Sequence, residues 1–300
     1  MLYKFRKSMN RKFYNWLTDN AKQNLRVSID ENSDFTILTQ LCSSDINMYL
    51  VALSSFTRFL KPRSVVVVAD RLSEAEQDLL RQCVNNIIII PITTASHPDL
   101  PKGGCWERLI SIHSLLADTY VVQLDADIIC LRYPKDVADL IKNNQSFTLA
   151  TKMGRNKISM SDASKLVADI ESDHVQVLVE KAFADFSNSG SRSYIRGCAG
   201  FAGFSKQSAN LDGLVEFSRE AERSIGKTKW HQWGSEQVAS NYVVANSPNS
   251  RVLPFEQYPY FEPGVDMDSA DLLHFIGDYR YKGWVYVKQS RKVIAECQSK

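Results

Sequence analysis

Val121-Val122-Gln123-Leu124-Asp125-Ala126-Asp127-Ile128-Ile129-Cys130-Leu131 is an apolar run, rich in β-branched residues, that two carboxylates interrupt. Asp118-Thr119 precedes it and Arg132-Tyr133-Pro134 follows, so the run reads as a buried central strand. Side chains alternate along a strand, which puts Asp125 and Asp127 on one face. Two anions buried side by side are too costly to stand without compensation. Either the strand ends here and the pair meets solvent, or a cation lies between them. Oxygen ligands suit a hard divalent ion, Mg²⁺ or Mn²⁺, bridging to substrate phosphates.

Upstream, strands and helices alternate. Residues 34–41 (DFTILTQL) read as the first strand, running into Cys42-Ser43-Ser44-Asp45. A helix follows over 46–60, with Ile46, Leu50, Leu53, Phe56 and Leu60 at helical spacing. Val65 to Ala69 is a fully apolar strand, and Asp70 lies just past its carboxyl end. Ser73 and Glu76 make a capping box for a helix reaching about Cys83. Residues 87–92 form a third strand, and a helix over 106–117 leads into the strand that carries the two aspartates. Such alternation predicts an α/β fold with an open, mostly parallel central sheet flanked by helices. Ligands of open sheets bind beyond the carboxyl ends of strands, where Leu41-Cys42, Asp70 and the Asp125/Asp127 pair all fall.

Downstream the pattern loosens. Helices are expected over 135–142, 160–186, 206–224 and 235–245, with a strand over 147–150. Arg196 to Ser205 (RGCAGFAGFS) holds three glycines within seven residues, a place of close backbone approach or a bulged strand. Trp230-His231-Gln232-Trp233-Gly234 reads as a loop, and the tail carries Leu272-Leu273-His274-Phe275-Ile276-Gly277.

A net charge of +2 gives no global argument for nucleic acid, and 44% hydrophobic content is ordinary for a soluble protein. Charge is uneven, however. Lys4, Arg6, Lys7, Arg11, Lys12, Lys22 and Arg26 face only Asp19 among the first 26 residues. With Tyr3, Phe5, Phe13, Tyr14, Trp16 and Leu17 they make residues 1–33 a basic amphipathic arm. It would either lie on an anionic membrane surface, or be a helix packed on the domain that follows or a partly ordered terminus. Six cysteines without a CxxC spacing favour reduced thiols and a cytoplasmic setting. No apolar stretch of 18 residues or signal-peptide core occurs in the sequence, so a soluble or peripheral protein is expected.

Together these pieces resemble retaining glycosyltransferases of the GT-A fold, most nearly glycosyltransferase family 8, over about residues 34–285. Asp125-Ala126-Asp127 after a buried strand, with His274-Phe275-Ile276-Gly277 far downstream, carries the likeness. The resemblance implies that Asp125, Asp127 and His274 hold Mn²⁺ (or Mg²⁺) on the diphosphate of a nucleotide sugar, a UDP-hexose. It implies contacts to the nucleotide from Thr39, Gln40, Leu41 and Cys42, and from Arg108 in the helix before the metal strand. Asp70, Gly200, Gly277 and Lys282 complete the expected donor-binding set. Cys198-Ala199-Gly200 stands where relatives line the sugar with Asn-(Ala/Ser)-Gly, so Gly200 is retained and the Asn is not. Glu236-Gln237 replaces the relatives' Asp-Gln, whose side chains meet the transferred sugar. Relatives place a Lys six residues after the His, followed by Pro-Trp. Here Arg280 has that spacing, while Lys282-Gly283-Trp284 is similar to a shifted Lys-Pro-Trp. Gln237, Glu236 and Arg280 are thus the expected catalytic side chains.

The implied reaction moves a hexose to a carbohydrate, lipid or protein acceptor, with retention and no obligatory protein nucleophile. A single catalytic domain over 34–300 is expected, with a helical insert at about 152–195. Residues 272–284 are expected to stay loose until donor and metal arrive. Two rivals share the Asp-x-Asp: a haloacid-dehalogenase-like phosphatase, which carries it after the first strand, and a catalytically silent relative that only binds sugar nucleotide.

Overall fold

A computed structural model describes residues 2–22 and 25–298, with side chains from Ser8 onward in the first helix. The side chains of Tyr3, Lys4, Phe5, Arg6 and Lys7, part of the basic arm, lie outside the described residues. In chain order the first elements are α1 (Leu2–Ala21), β1 (Phe35–Cys42), α2 (Ile46–Thr57), β2 (Ser64–Asp70), α3 (Glu74–Cys83), β3 (Ile87–Pro91), α4 (Trp106–Leu115) and β4 (Tyr120–Leu124). Then come β5 (Ile128–Cys130), α5 (Lys135–Lys142), β6 (Phe147–Leu149), β7 (Ile158–Ser159), α6 (Met160–Leu166), α7 (Val175–Ala182), β8 (Ser193–Tyr194) and β9 (Cys198–Phe204). The chain ends with α8 (Leu211–Ile225), α9 (Lys227–Trp230), α10 (Ser235–Asn246), β10 (Arg251–Leu253), β11 (Leu272–His274), α11 (Tyr279–Lys282) and α12 (Val285–Gln298). The fold is α/β, with mostly parallel sheet strands and flanking helices, as the alternation predicts.

Two compact units divide the chain. The first holds Met1–Pro91, Gln123–Asp139 and Glu256–Lys300. Here β1, β2 and β3 are parallel neighbours, and the register pairs Leu41 with Ala69 and Cys42 with Asp70. The two strand ends picked out by the sequence therefore lie side by side. Val65 to Val68 are buried, which is why this strand is an unbroken apolar run. The capping box forms as expected, Ser73 accepting from the Glu76 backbone while the Glu76 carboxylate accepts from the Ser73 N–H. Helix α1 packs within this unit. It buries Asn10, Tyr14, Thr18 and Ala21, one turn apart in succession, while Phe13 and Trp16 stay exposed. Tyr14 stacks on Tyr286 with ring centroids 5.1 Å apart. Helix α12, which carries Tyr286, has no counterpart in the reading of the sequence.

The expected continuous strand over Val121–Leu131 is broken. β4 ends at Leu124, and Ile128 N donates to Asp125 O at 3.3 Å across a turn. The chain then enters β5, which belongs to a different, antiparallel ladder: Leu272 pairs with Cys130, Leu273 with Ile129 and His274 with Ile128. Asp residues favour turns by bonding their own backbone, and apolar residues on both sides hide the break.

The second unit holds Ile92–Val122 and Leu140–Phe255. In it β6 pairs parallel with β10 and antiparallel with β9, with a register irregularity between Thr148 and Leu149. The glycine-rich stretch is thus a strand beside a bulge, and close packing explains its Gly203. A Cβ there would lie 2.2 Å from the Tyr120 hydroxyl and 2.3 Å from the Phe147 ring. The expected helix over 160–186 is two helices, α6 and α7, because residues 167–174 leave helical geometry. Trp230 is core: it meets Trp106 edge-on, and its ring N–H donates to Ser218 Oγ at 2.9 Å. Trp233 is 75% exposed.

Candidate functional site

The turn after β4 and the ladder of β5 with β11 place three ligand-bearing side chains together. One ligand atom each from Asp125, Asp127 and His274 lies within 4.8 Å of the others. His274 Nε2 is 3.1 Å from Asp127 Oδ1. The backbone secures this pairing, since Phe275 N donates to Asp127 O at 3.0 Å just beyond the ladder. On its other side β11 is held by His274 N donating to Pro259 O at 3.1 Å and Phe261 N to His274 O at 2.7 Å. Two carboxylates and one imidazole form a donor set that suits Mn²⁺ or Mg²⁺, with room left for substrate oxygens. The chemistry of the residues present therefore fits the expected ion.

Arg280, on α11, lies 3.8 Å from Asp127 Oδ2 through its Nε, which also donates to Gly277 O at 3.0 Å. Gly277 has φ +55, a turn that starts the chain into α11. Lys282 is exposed, its Nζ 5.1 Å from the centre of the Tyr279 ring. Of the two tail cations, Arg280 is the one at the acidic cluster. Burial alone pushes the Asp127 carboxyl up, but His274 and Arg280 beside it outweigh burial and hold it below the usual carboxylate range.

Leu272, Leu273 and Phe275 are fully buried, and Leu272 to His274 pair with β5. Asn10 ties down the rest, its Nδ2 donating to Tyr281 O and to Gly283 O, both at 3.1 Å.

At the ends of β1 and β2, side chains differ in what they can offer. Thr39 and Leu41 point into the core, each 1% exposed, because helices cover both faces of a buried parallel strand. Gln40, Cys42 and Asp70 reach the surface, and Asp70 pairs with Arg71 at 3.0 Å.

In the second unit Arg108 and Glu236 meet each other. Arg108 Nη2 is 2.9 Å from Glu236 Oε2, and both side chains are buried. Tertiary packing thus brings together two residues that the sequence expectation treated separately. Gln237 is half-buried and donates from Nε2 to Gln176 Oε1 at 3.2 Å. Gln176 in turn donates to Glu180, which also receives Tyr194 and Arg196. Sequence reading missed this network, and the one available signal was Arg196 directly before the glycine-rich stretch. Cys198 and Gly200 lie in β9, whose residues are all buried. His231 bonds Glu222 at 2.7 Å near the surface.

No protein-family model and no curated protein sequence matches the chain. Solved structures do. The WbbM bifunctional glycosyltransferase has a TM-score of 0.53 at 13% identity, over 92% of this chain and 54% of that one. This chain thus spans about half the length of that protein. The galactosyltransferase LgtC, in complex with donor and acceptor sugar analogs, has a TM-score of 0.53 at 10% identity, over 87% of this chain and 95% of its own. An active-site mutant of LgtC gives 0.52 at 11% identity, over 88% of this chain and 95% of its own. The phosphatase rival has no support from these likenesses, and its motif belongs after a first strand, not after β4. The chain has the α/β fold of GT-A glycosyltransferases.

Proposed function

We propose that the chain is a metal-dependent hexosyltransferase that moves a sugar from a nucleotide donor, a UDP-sugar, to a carbohydrate, lipid or protein acceptor with retention. The observation that carries this reading is the convergence of Asp125, Asp127 and His274 on a glycosyltransferase fold. These three residues would hold the ion, Mn²⁺ or Mg²⁺, which when bound supplies charge stabilisation to a leaving diphosphate. Arg280 adds a fixed guanidinium beside the same cluster, suited to phosphate oxygens. Gln237 offers a neutral polar group to the sugar. Glu236, already paired with Arg108, serves to hold the start of α10 and not as a free base. Hydrolysis of several sugar nucleotides, with Mn²⁺ and with chelator, tests the reading. Metal-dependent release of nucleoside diphosphate is the expected result, and no release with any donor overturns it.

Free cysteines suit a reducing, cytoplasmic setting, and among the described residues no helix is long and apolar enough to cross a membrane. Contact with an anionic membrane surface is supported by the exposed rings of Phe13, Trp16 and Trp284. Phe13 lies 5.7 Å from Trp16 and 5.5 Å from Trp284 between centroids, next to exposed Arg11 and Lys12. Replacing Phe13 and Trp16 by serine should abolish sedimentation with anionic liposomes while leaving donor hydrolysis unchanged. Equal sedimentation of variant and parent would remove the membrane from this reading.

A further inference from the structure

Glu180 is a fully buried carboxylate in the second unit, with no place in the chemistry described so far. Tyr194 Oη donates to its Oε1 at 2.9 Å, Gln176 Nε2 donates to the same oxygen at 2.8 Å, and Arg196 Nε donates to Oε2 at 2.9 Å. Burial pushes the Glu180 carboxyl up, while the Arg196 guanidinium and three donated hydrogen bonds favour its anion, and an ionised carboxylate can only accept. Gln176 must therefore turn its NH₂ toward Glu180, which leaves its carbonyl oxygen for the next partner. That partner is Gln237, whose Nε2 donates to it at 3.2 Å. With its NH₂ committed to Gln176, Gln237 turns its Oε1 the other way.

We infer that Glu180 and Gln176 form a relay that sets which end of the Gln237 amide faces outward, making both of them positioning residues. The inference rests on the proposed role of Gln237 at the transferred sugar. The two ends of an amide are almost the same size, so packing alone does not choose between them. Here an anion two hydrogen bonds away chooses. The outward carbonyl is the end that favours positive charge developing at an anomeric carbon, whereas an outward NH₂ opposes it.

Local structure keeps the relay in register. Gln176 and Glu180 are one turn apart on α7, whose first turn is capped by His174 Nδ1 accepting from Gln176 N at 3.3 Å. The imidazole of His174 also sits against Gly234, the residue before α10. Gly234 has φ +103, and a Cβ there would lie 2.9 Å from His174 Cε1. The two helix starts that carry Gln176 and Gln237 thus meet at this point, and a side chain at 234 would be strained at that φ and would crowd the imidazole.

Glu180→Gln tests the relay, because an amide at 180 can donate to Gln176 and reverse every later bond. The turnover number for Mn²⁺-dependent donor hydrolysis should fall about tenfold or more with KM changed less than about twofold. Adding Gln176→Glu to Glu180→Gln restores the original order, since the carboxylate at 176 accepts from both neighbours. The double variant should regain most of the lost turnover, which a merely structural role for Glu180 does not predict. A second readout needs no activity. In glutamine-¹⁵N-labelled protein, the Gln237 side-chain amide signals, assigned by their loss in Gln237→Glu, should move in Glu180→Gln and return in the double variant. Gln176→Leu, which leaves the carboxylate untouched, should move the same signals. Signals that stay put in Glu180→Gln and Gln176→Leu overturn the relay, as does a double variant no more active than Glu180→Gln. A parent protein that hydrolyses no sugar nucleotide, yet shows the signal shifts, fails the functional reading and leaves the relay standing.

Discussion

Charged side chains gather in both units, and they do so in different ways. In the second unit Arg108 lies 2.9 Å from Glu236 and Arg196 lies 2.9 Å from Glu180, so each of these two buried carboxylates has its own guanidinium. In the first unit Asp127 lies 3.8 Å from the Arg280 guanidinium and 3.1 Å from His274, which is charged only when protonated, and Asp125 stands beside them. The first arrangement pairs anion with cation side chain by side chain. The second gathers two carboxylates and an imidazole, in a place where an antiparallel ladder and a helix keep them together. Such a donor set is the kind that suits a divalent cation, and this difference in ligand chemistry separates a candidate metal centre from a structural ion pair.

The largest expected effect tests that donor set. Asp127→Asn keeps shape and removes one negative charge, so Mn²⁺-dependent donor hydrolysis should fall by about 10²–10³-fold, the scale of losing one preorganised electrostatic group. Unfolding in urea should change little, because the ladder of β5 with β11 does not involve the Asp127 side chain. Activity kept at parent level in excess chelator would make the cluster another self-contained set of charges, and the contrast would collapse.

The second unit should answer in the opposite currency. Arg108→Ala strands a buried carboxylate, and breaking such a pair typically costs about 3–5 kcal/mol. Arg108→Met with Glu236→Leu removes both charges at similar volume and should recover most of that loss in urea unfolding. If Arg108→Ala instead unfolds like the parent but binds nucleoside diphosphate more weakly, Arg108 faces a ligand as the family resemblance implies.

These two clusters were not equally legible. Asp125 and Asp127 stand out because anions in an apolar run have few bland explanations. His274 has no local signal, and only the likeness to a family put it with them. The ladder that joins them explains why: three-residue strands such as β5 and β11 are too short to show a period. The same holds for β7, β8 and β10. The turn at Asp125-Ala126-Asp127 was hidden by apolar residues on both sides, so one long strand was read where there are two. Arg108 and Glu236 are 128 residues apart, and nothing in either neighbourhood says that they pair. The buried faces of β1 and β2 and the capping box at Ser73, by contrast, are written in runs and spacings that local physics decodes directly.

The smallest expected effect concerns how the first cluster keeps its one guanidinium in place. Arg280 rides on a single helical turn, α11, too short to hold itself. Its C-terminal carbonyls are taken by Asn10, a buried amide from α1 that donates to Tyr281 O and Gly283 O. Tyr14, one turn later on α1, stacks on Tyr286 just past the same segment. Helix α1 therefore acts as a clasp across a long stretch of sequence, as the spacing of 271 between Asn10 and Tyr281 records. Asn10→Ala removes both bonds, each contributing about 0.5–1.5 kcal/mol. Hydrogen exchange over 277–284 should accelerate accordingly, about five- to a hundredfold for a locally opening segment. Exchange over 272–275 should stay slow, because those residues are held by β5 and not by α1. Equal acceleration in both stretches would mean that the tail opens as one piece. The guanidinium would then be held no less firmly than the ladder that carries His274, and the two clusters would differ in their count of guanidinium groups and not in how those groups are held.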